Sequence, residues 1–158
     1  MKKLLLSVAL MMVVPAVVSA DDDWFDMQNC DICKCMAKNM DVMMEMKWET
    51  HKIADGMMMI AVIPEKHKKT MEKAHEEMMH VIAKMEKGAK THMCGFCTSY
   101  GGLKQAGAKF EELETVGGKV TLVTSNEPEL VEKIHTHADK TIAAHKKMMK
   151  EMAAQKSE

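Results

Sequence analysis

Residues 109–124 read KFEELETVGGKVTLVT. Two runs carrying Phe, Leu, Val and Thr flank Gly117-Gly118. Glycine enters the left-handed backbone of a tight turn without steric cost, so such runs around a glycine pair predict two antiparallel strands. The same outline stands upstream in KWETHKIADGMMMIAVI, residues 47–63, around Asp55-Gly56.

The two hairpins belong to a longer internal match. A shift of 62 residues lays Lys47-Trp48-Glu49 on Lys109-Phe110-Glu111 and Asp55-Gly56 on Gly117-Gly118. A shift of 60 lays Ile60 and Val62 on Val120 and Leu122, and Glu72, Lys73, His75, Ile82, Ala83 and Lys87 on Glu132, Lys133, His135, Ile142, Ala143 and Lys147. At 64, Cys30 and Cys33 meet Cys94 and Cys97. Small changes of shift between elements are what drift in surface loops produces.

Each half therefore reads as CxxC, a short helix, a hairpin and a long helix. In the first half Met36, Met40, Met43 and Met44 recur at helical spacing; in the second, Gly101, Gly102 and Gly107 argue against the short helix. The long helices carry apolar stripes, Met71, Ala74, Met78, Ile82 and Met85 in one and Val131, Ile134, Ala138, Ile142 and Met149 in the other. Ser125 or Asn126 can cap the last helix, with Pro128 in its first turn. A hairpin with one helix has too little interior to stand alone. The expected fold is α+β: a tandem duplicated (short helix)-β-β-α unit, residues about 30–88 and 94–152, forming one four-stranded antiparallel sheet with two long helices on one face and a pseudo-twofold axis. Two hairpins facing apart in a swapped dimer is the alternative.

The opening MKKLLLSVALMMVVPAVVSA has a basic start, an apolar run and small residues before an acidic stretch, which is the pattern of a secretory signal over residues 1–20. The expected mature chain, 21–158, is a single periplasmic or secreted domain with nothing long and apolar enough to insert in a membrane. Aromatics are scarce and there are 20 methionines, so thioethers must fill interior space that Phe and Leu fill elsewhere. All 22 residues counted as Lys or Arg are Lys, and the net charge is −1. Without the planar guanidinium fork or an extended basic surface, nucleic acid is not an expected partner. No phosphate loop, dinucleotide fingerprint or nucleophile-base-acid set is present.

Three chemistries compete for the cysteines. As ligands, four thiolates suit Zn(II) or an iron centre, and a pair suits Cu(I). Cys35, His92 and Met93 adjoin the pairs, and thiolate with thioether selects Cu(I). As redox groups, Cys94-Gly95-Phe96-Cys97 resembles the active-site tetrapeptide of thioredoxin-type proteins, which implies Cys94 as attacking thiolate. Such a fold needs a strand before the motif, where KMEKGAKTHM reads as helix end and loop. As staples, a bridge within one pair contributes roughly 2 kcal/mol and one spanning sixty residues roughly 4, so a stapling role would favour links between the halves.

His75 and His135 occupy equivalent positions beside their stripes, where a packed histidine is the ordinary reading and a ligand from each half the functional one. His80, His137 and His145 read as partly exposed helix positions. MDVMMEM and GMMMI resemble the Met-rich stretches of secreted copper-handling proteins, although the helical face and strand alternation explain them by packing as well. The expectation is an exported protein that binds Cu(I), with zinc next, for sequestration or delivery to a metal-handling or redox partner. Cys30, Cys33, Cys94 and Cys97 are the candidate ligands, with Cys35, His92, Met93, His75 and His135 near them. A thiol-disulfide oxidoreductase and a disulfide-stapled interaction module are the alternatives.

Overall fold

The computed structural model describes residues 24–155; the expected signal segment lies outside the described residues. Two hairpins, β1 (Lys47–Ile53) with β2 (Gly56–Val62) and β3 (Lys109–Thr115) with β4 (Gly118–Thr124), join through β2 and β4 into one antiparallel sheet of order β1-β2-β4-β3. The central register runs from Gly56↔Thr124 to Val62↔Gly118 and is symmetric about Met59↔Thr121. All four strands thus correspond at a single shift of 62. The sequence match had made Val120 the equivalent of Ile60; the strand bounds, which correspond at 62, make it Leu122, a slip of two that keeps every side chain on its face.

Each turn is a two-residue loop, and the glycine that follows opens the next strand. A Cβ on Gly56 would stand 2.0 Å from the Val123 carbonyl oxygen, and one on Gly118 would stand 1.9 Å from that of Ala61. Glycine is demanded there by the close approach of β2 and β4.

Before β1 lie two short helices, α1 (Lys34–Ala37) and α2 (Met40–Glu45). The helix that the glycines argued against does form, as α4 (Gly95–Gln105). Leu103 on it is buried, and Phe96 and Tyr100 stack one turn apart, so packing overrides the propensity cost of Gly101 and Gly102. Gly107 ends it at φ +93° while Ala108 N–H donates to Leu103 O and Gly107 N–H to Lys104 O. The long helix α3 (Lys68–Glu86) ends identically at Gly88, φ +89°, with Ala89 N–H to Lys84 O and Gly88 N–H to Met85 O. Both ends are Schellman caps.

The last helix, α5 (Pro128–Gln155), lies along β1, β2 and β4. Met57 and Val123 of the sheet, Leu130, Ile134 and Ala138 of α5, and Leu103 of α4 form the main core. The helix α3 packs chiefly on α1, and Met71 sits against Val42, Met46 and Ile63. The inner face explains the inequality. There β1 presents Trp48 and Thr50, whereas β3 presents Glu112 and Glu114, which stay exposed and pair with Lys119. The buried stripe of α5 is also turned relative to expectation: Leu130, His137 and Thr141 are buried, and Ile142 and Met149 are exposed. The reason is Trp24, whose indole N–H donates to Thr141 Oγ1 and whose ring tilts against His137 at 5.3 Å.

Candidate metal centre

The two CxxC loops meet at the junction of the halves. The first is shaped by an aspartate turn: Asp26 Oδ1 accepts the amides of Gln28 and Asn29, and Cys30 N–H donates to Asp26 O, which sets Cys33 at the start of α1. The second places Cys94 at the N-cap of α4 and Cys97 in its first turn. Between the loops, Asp31 N–H donates to His92 O at 2.9 Å and His92 N–H returns to Asp31 Oδ2 at 2.9 Å. Phe96 N–H donates to Trp24 O, a further tie. The Asp31 carboxyl is held below its ordinary range by its bond to Lys34 and by the His92 amide.

These ties bring four sulfurs together. Cys33 Sγ lies 3.4 Å from Cys97 Sγ and 3.6 Å from Cys94 Sγ, and Cys30 Sγ lies 3.7 Å from Cys97 Sγ. All four lie within 4.8 Å of one another. None of the described cysteines is in a disulfide, whose sulfurs would stand only about 2.05 Å apart. An ion with four thiolates at about 2.3 Å in a tetrahedron separates them by about 3.8 Å. The observed spacings fall at that edge length, so the donor set fits one four-coordinate ion. A cluster spreading its cysteines over several metal ions would hold them farther apart.

The electrostatics agree. Cys33 N–H donates to Cys30 Sγ at 3.4 Å, and the nearby Cys97 amide favours the Cys94 thiolate. Hydrogen bonds from Cys33 and Cys97 strongly favour the Cys94 thiolate. Cys33 is pushed far up by its bonds to Cys94 and Cys97 and by burial; Cys97 is bonded by Cys33 yet is pushed up by Cys94 and burial. So close a set cannot carry four negative charges unaided, whereas a dication at its centre reverses the balance. Met27, Met78, Val81, Ile82, Met93 and Phe96 pack around the buried cysteines and Ile32, which excludes water; Cys97 is the most exposed of the four.

The other candidate residues divide. Met93 packs against the sulfurs by virtue of its place beside Cys94. His92 is exposed and joins the centre through its backbone. Cys35 is buried, with Sγ 3.7 Å from Asp31 O, and stands outside the four-sulfur group. His75 is exposed on α3, and His135 bonds Ile53 O at 2.9 Å; neither joins the convergent ligand atoms.

Two contributors escaped the sequence reading. Asp31 is the clamp between loops, and its only signal was an acidic residue inside CDIC. His137, expected to be partly exposed, is 1% exposed beside Trp24, Phe96 and Tyr100. Its Nδ1 lies 2.9 Å from Ser99 Oγ while Nε2 is buried without a hydrogen-bond partner among the described residues, and burial lowers its pKa to about 4. Its spacing from Ile134 and Thr141 was helical, but its polarity hid it. No protein-family model, curated protein or solved structure significantly matches this chain.

Proposed function

We propose that this is an exported protein that holds one thiophilic metal ion between its halves, with Cys30, Cys33, Cys94 and Cys97 as ligands. The observation that carries the reading is the convergence of four unbridged sulfurs within 4.8 Å across a separation of some sixty residues. Four thiolates at tetrahedral spacing suit Zn(II), or iron in the same coordination, better than Cu(I), which is served by fewer ligands. The Met93 and Met78 thioethers lie in the shell and keep Cu(I) as the second choice.

A closed set of four protein ligands leaves no position for substrate, the arrangement of sites that hold an ion rather than use it. The role is sequestration, with the ion also fastening one half to the other. Cys97, the least buried sulfur, is where a metal-handling partner's thiolate would begin an exchange. The amino-terminal pattern of residues 1–20 supports export, where sulfur ligation would protect these cysteines from oxidation.

Elemental analysis of the protein purified without added metal, with thiol titration before and after chelation, tests this. The expected result is one ion per chain and four thiols that become reactive as the ion leaves. Cobalt(II) exchanged into the site should give the intense visible bands of a tetrahedral thiolate. A metal-free protein with two permanent disulfides would refute the reading. One observation favours a second: Cys94, with its thiolate favoured, caps an 11-residue helix as an attacking cysteine would. A metal-free protein whose Cys94–Cys97 pair cycles with glutathione would establish that alternative.

A further inference from the structure

The two sulfur pairs ride on different helices. Cys33 opens α1, which packs on α3, whereas Cys94 caps α4, which packs on α5. The separation of the pairs therefore depends on what ties one helix pair to the other. One tie, between Asp31 and His92, lies in the loops themselves. The other is a strap of turns, residues 24–33, that carries Cys30 and Cys33.

Trp24 anchors this strap and is 5% exposed. Its carbonyl accepts the Phe96 N–H at 2.9 Å, and its indole N–H donates to Thr141 Oγ1 at 3.3 Å. Thr141 Oγ1 donates its own proton to His137 O at 2.8 Å, which leaves a lone pair for the indole. The ring stands edge-on to Phe96 at 6.3 Å, tilts against His137 at 5.3 Å and lies under the Lys140 ammonium at 5.2 Å. All of these partners belong to α4 and α5. Asp26 then fixes the turn, its carbonyl accepting the Cys30 N–H and its carboxylate those of Gln28 and Asn29. The seat of Trp24 is passed to Cys30 through that turn. The second pair has no such anchor, because the shift of 64 that matches the cysteines sets Gly88, without a side chain, opposite Trp24.

We infer that Trp24 is a positioning residue for the metal centre: its seat on α4 and α5 holds the first CxxC loop at coordinating distance from the second, and leaving that seat opens the centre. The inference rests on the metal-binding reading above and adds how the ion is held and let go. A site that adopts its competent geometry only part of the time binds with an affinity reduced by that fraction. Whatever seats Trp24 therefore tightens the ion, and by reciprocity the ion seats Trp24. The second loop is built into an 11-residue helix, while the strap has neither helix nor strand, so the first loop is the one that moves.

Competition between the zinc-loaded full chain and a chromophoric chelator tests this, read as affinity and as rate of release. Trp24→Phe keeps a ring, removes the indole N–H, and should weaken zinc binding by about 5-fold, chiefly through faster release. Thr141→Val, on α5 and in neither loop, removes the acceptor and should do the same. The double variant should be no weaker than either single one, because both remove one bond. In a Trp48→Phe background Trp24 is the sole indole, and its emission should shift when the ion is withdrawn. Thr141→Val and the emission carry the test if Trp24→Phe fails to fold. Unchanged affinity and release in folded variants overturn the inference and leave the metal centre standing, as do additive losses in the double variant or an emission indifferent to the ion. A parent chain that takes up neither zinc nor cobalt(II) overturns the metal centre and the inference with it.

Discussion

The two halves share a backbone plan and differ in what fills it. In the first, Ile32, Met36, Val42, Met46 and Met71 are aliphatic or thioether, and α3 packs on short helices. In the second, Phe96 stacks on Tyr100, whose ring meets Phe110 edge to face, α4 runs for 11 residues and α5 lies on the sheet. One twofold register therefore carries a half packed by thioethers and aliphatics and a half packed by aromatic rings. The lesson is that strand pairing and the four sulfurs keep the symmetry, while helix placement follows whichever strand offers an apolar inner face.

The comparison is broken most severely at Cys33, whose sulfur approaches both members of the opposite pair. Cys33→Ser should abolish stoichiometric metal, a loss beyond the roughly 10- to 100-fold that follows removal of an outer-shell partner. The removal of metal should lower the melting temperature of the native protein and leave that of Cys33→Ser unchanged. Elemental analysis and calorimetry read both effects.

His137 is a sharper probe of the aromatic half, since the position sixty residues earlier is the exposed Glu77, paired with Lys38. Burial lowers the His137 pKa from 6.5 to about 4, so the unfolded chain binds its proton first as pH falls. Its stability contribution is whole above about pH 6.5 and is lost as pH drops toward 4, a change of about 3 kcal/mol. His137→Phe should flatten that part of the profile in urea titrations.

Asp31 distinguishes the loops, because the equivalent residue in the second loop, Gly95, has no side chain. Asp31→Ala removes the acceptor of the His92 amide and should weaken metal binding by roughly 10-fold, as competition with a chromophoric chelator would show. The smallest effects should be equal between halves. Gly88→Ala and Gly107→Ala, both at positive φ, should each cost about 1 kcal/mol, and unequal values would mean that one cap matters more than its geometry implies.

Much of this was legible. Gly117-Gly118 and Asp55-Gly56 marked both hairpins, the internal match implied one sheet, and the sixty-residue recurrence of CxxC pointed to a shared centre. What was hidden lay in choices between like surfaces. Nothing in Val131, Ile134 and Ala138 announces that Trp24, more than a hundred residues away, will turn the helix so that His137 and Thr141 face inward. Glu112 and Glu114 did carry a signal against a helix on β3, but only once the register fixed which way they point. Gly101 and Gly102 misled because local propensity is blind to the stacking of Phe96 on Tyr100.

The span between the two sulfur pairs sets a clock. A ribosome adding roughly 5–20 residues per second exposes the second pair some seconds after the first, and until then Cys30 and Cys33 have only each other and Cys35. In an oxidising compartment early release would close them into a bridge; arrival of the whole chain, still reduced, would let the ion win the race.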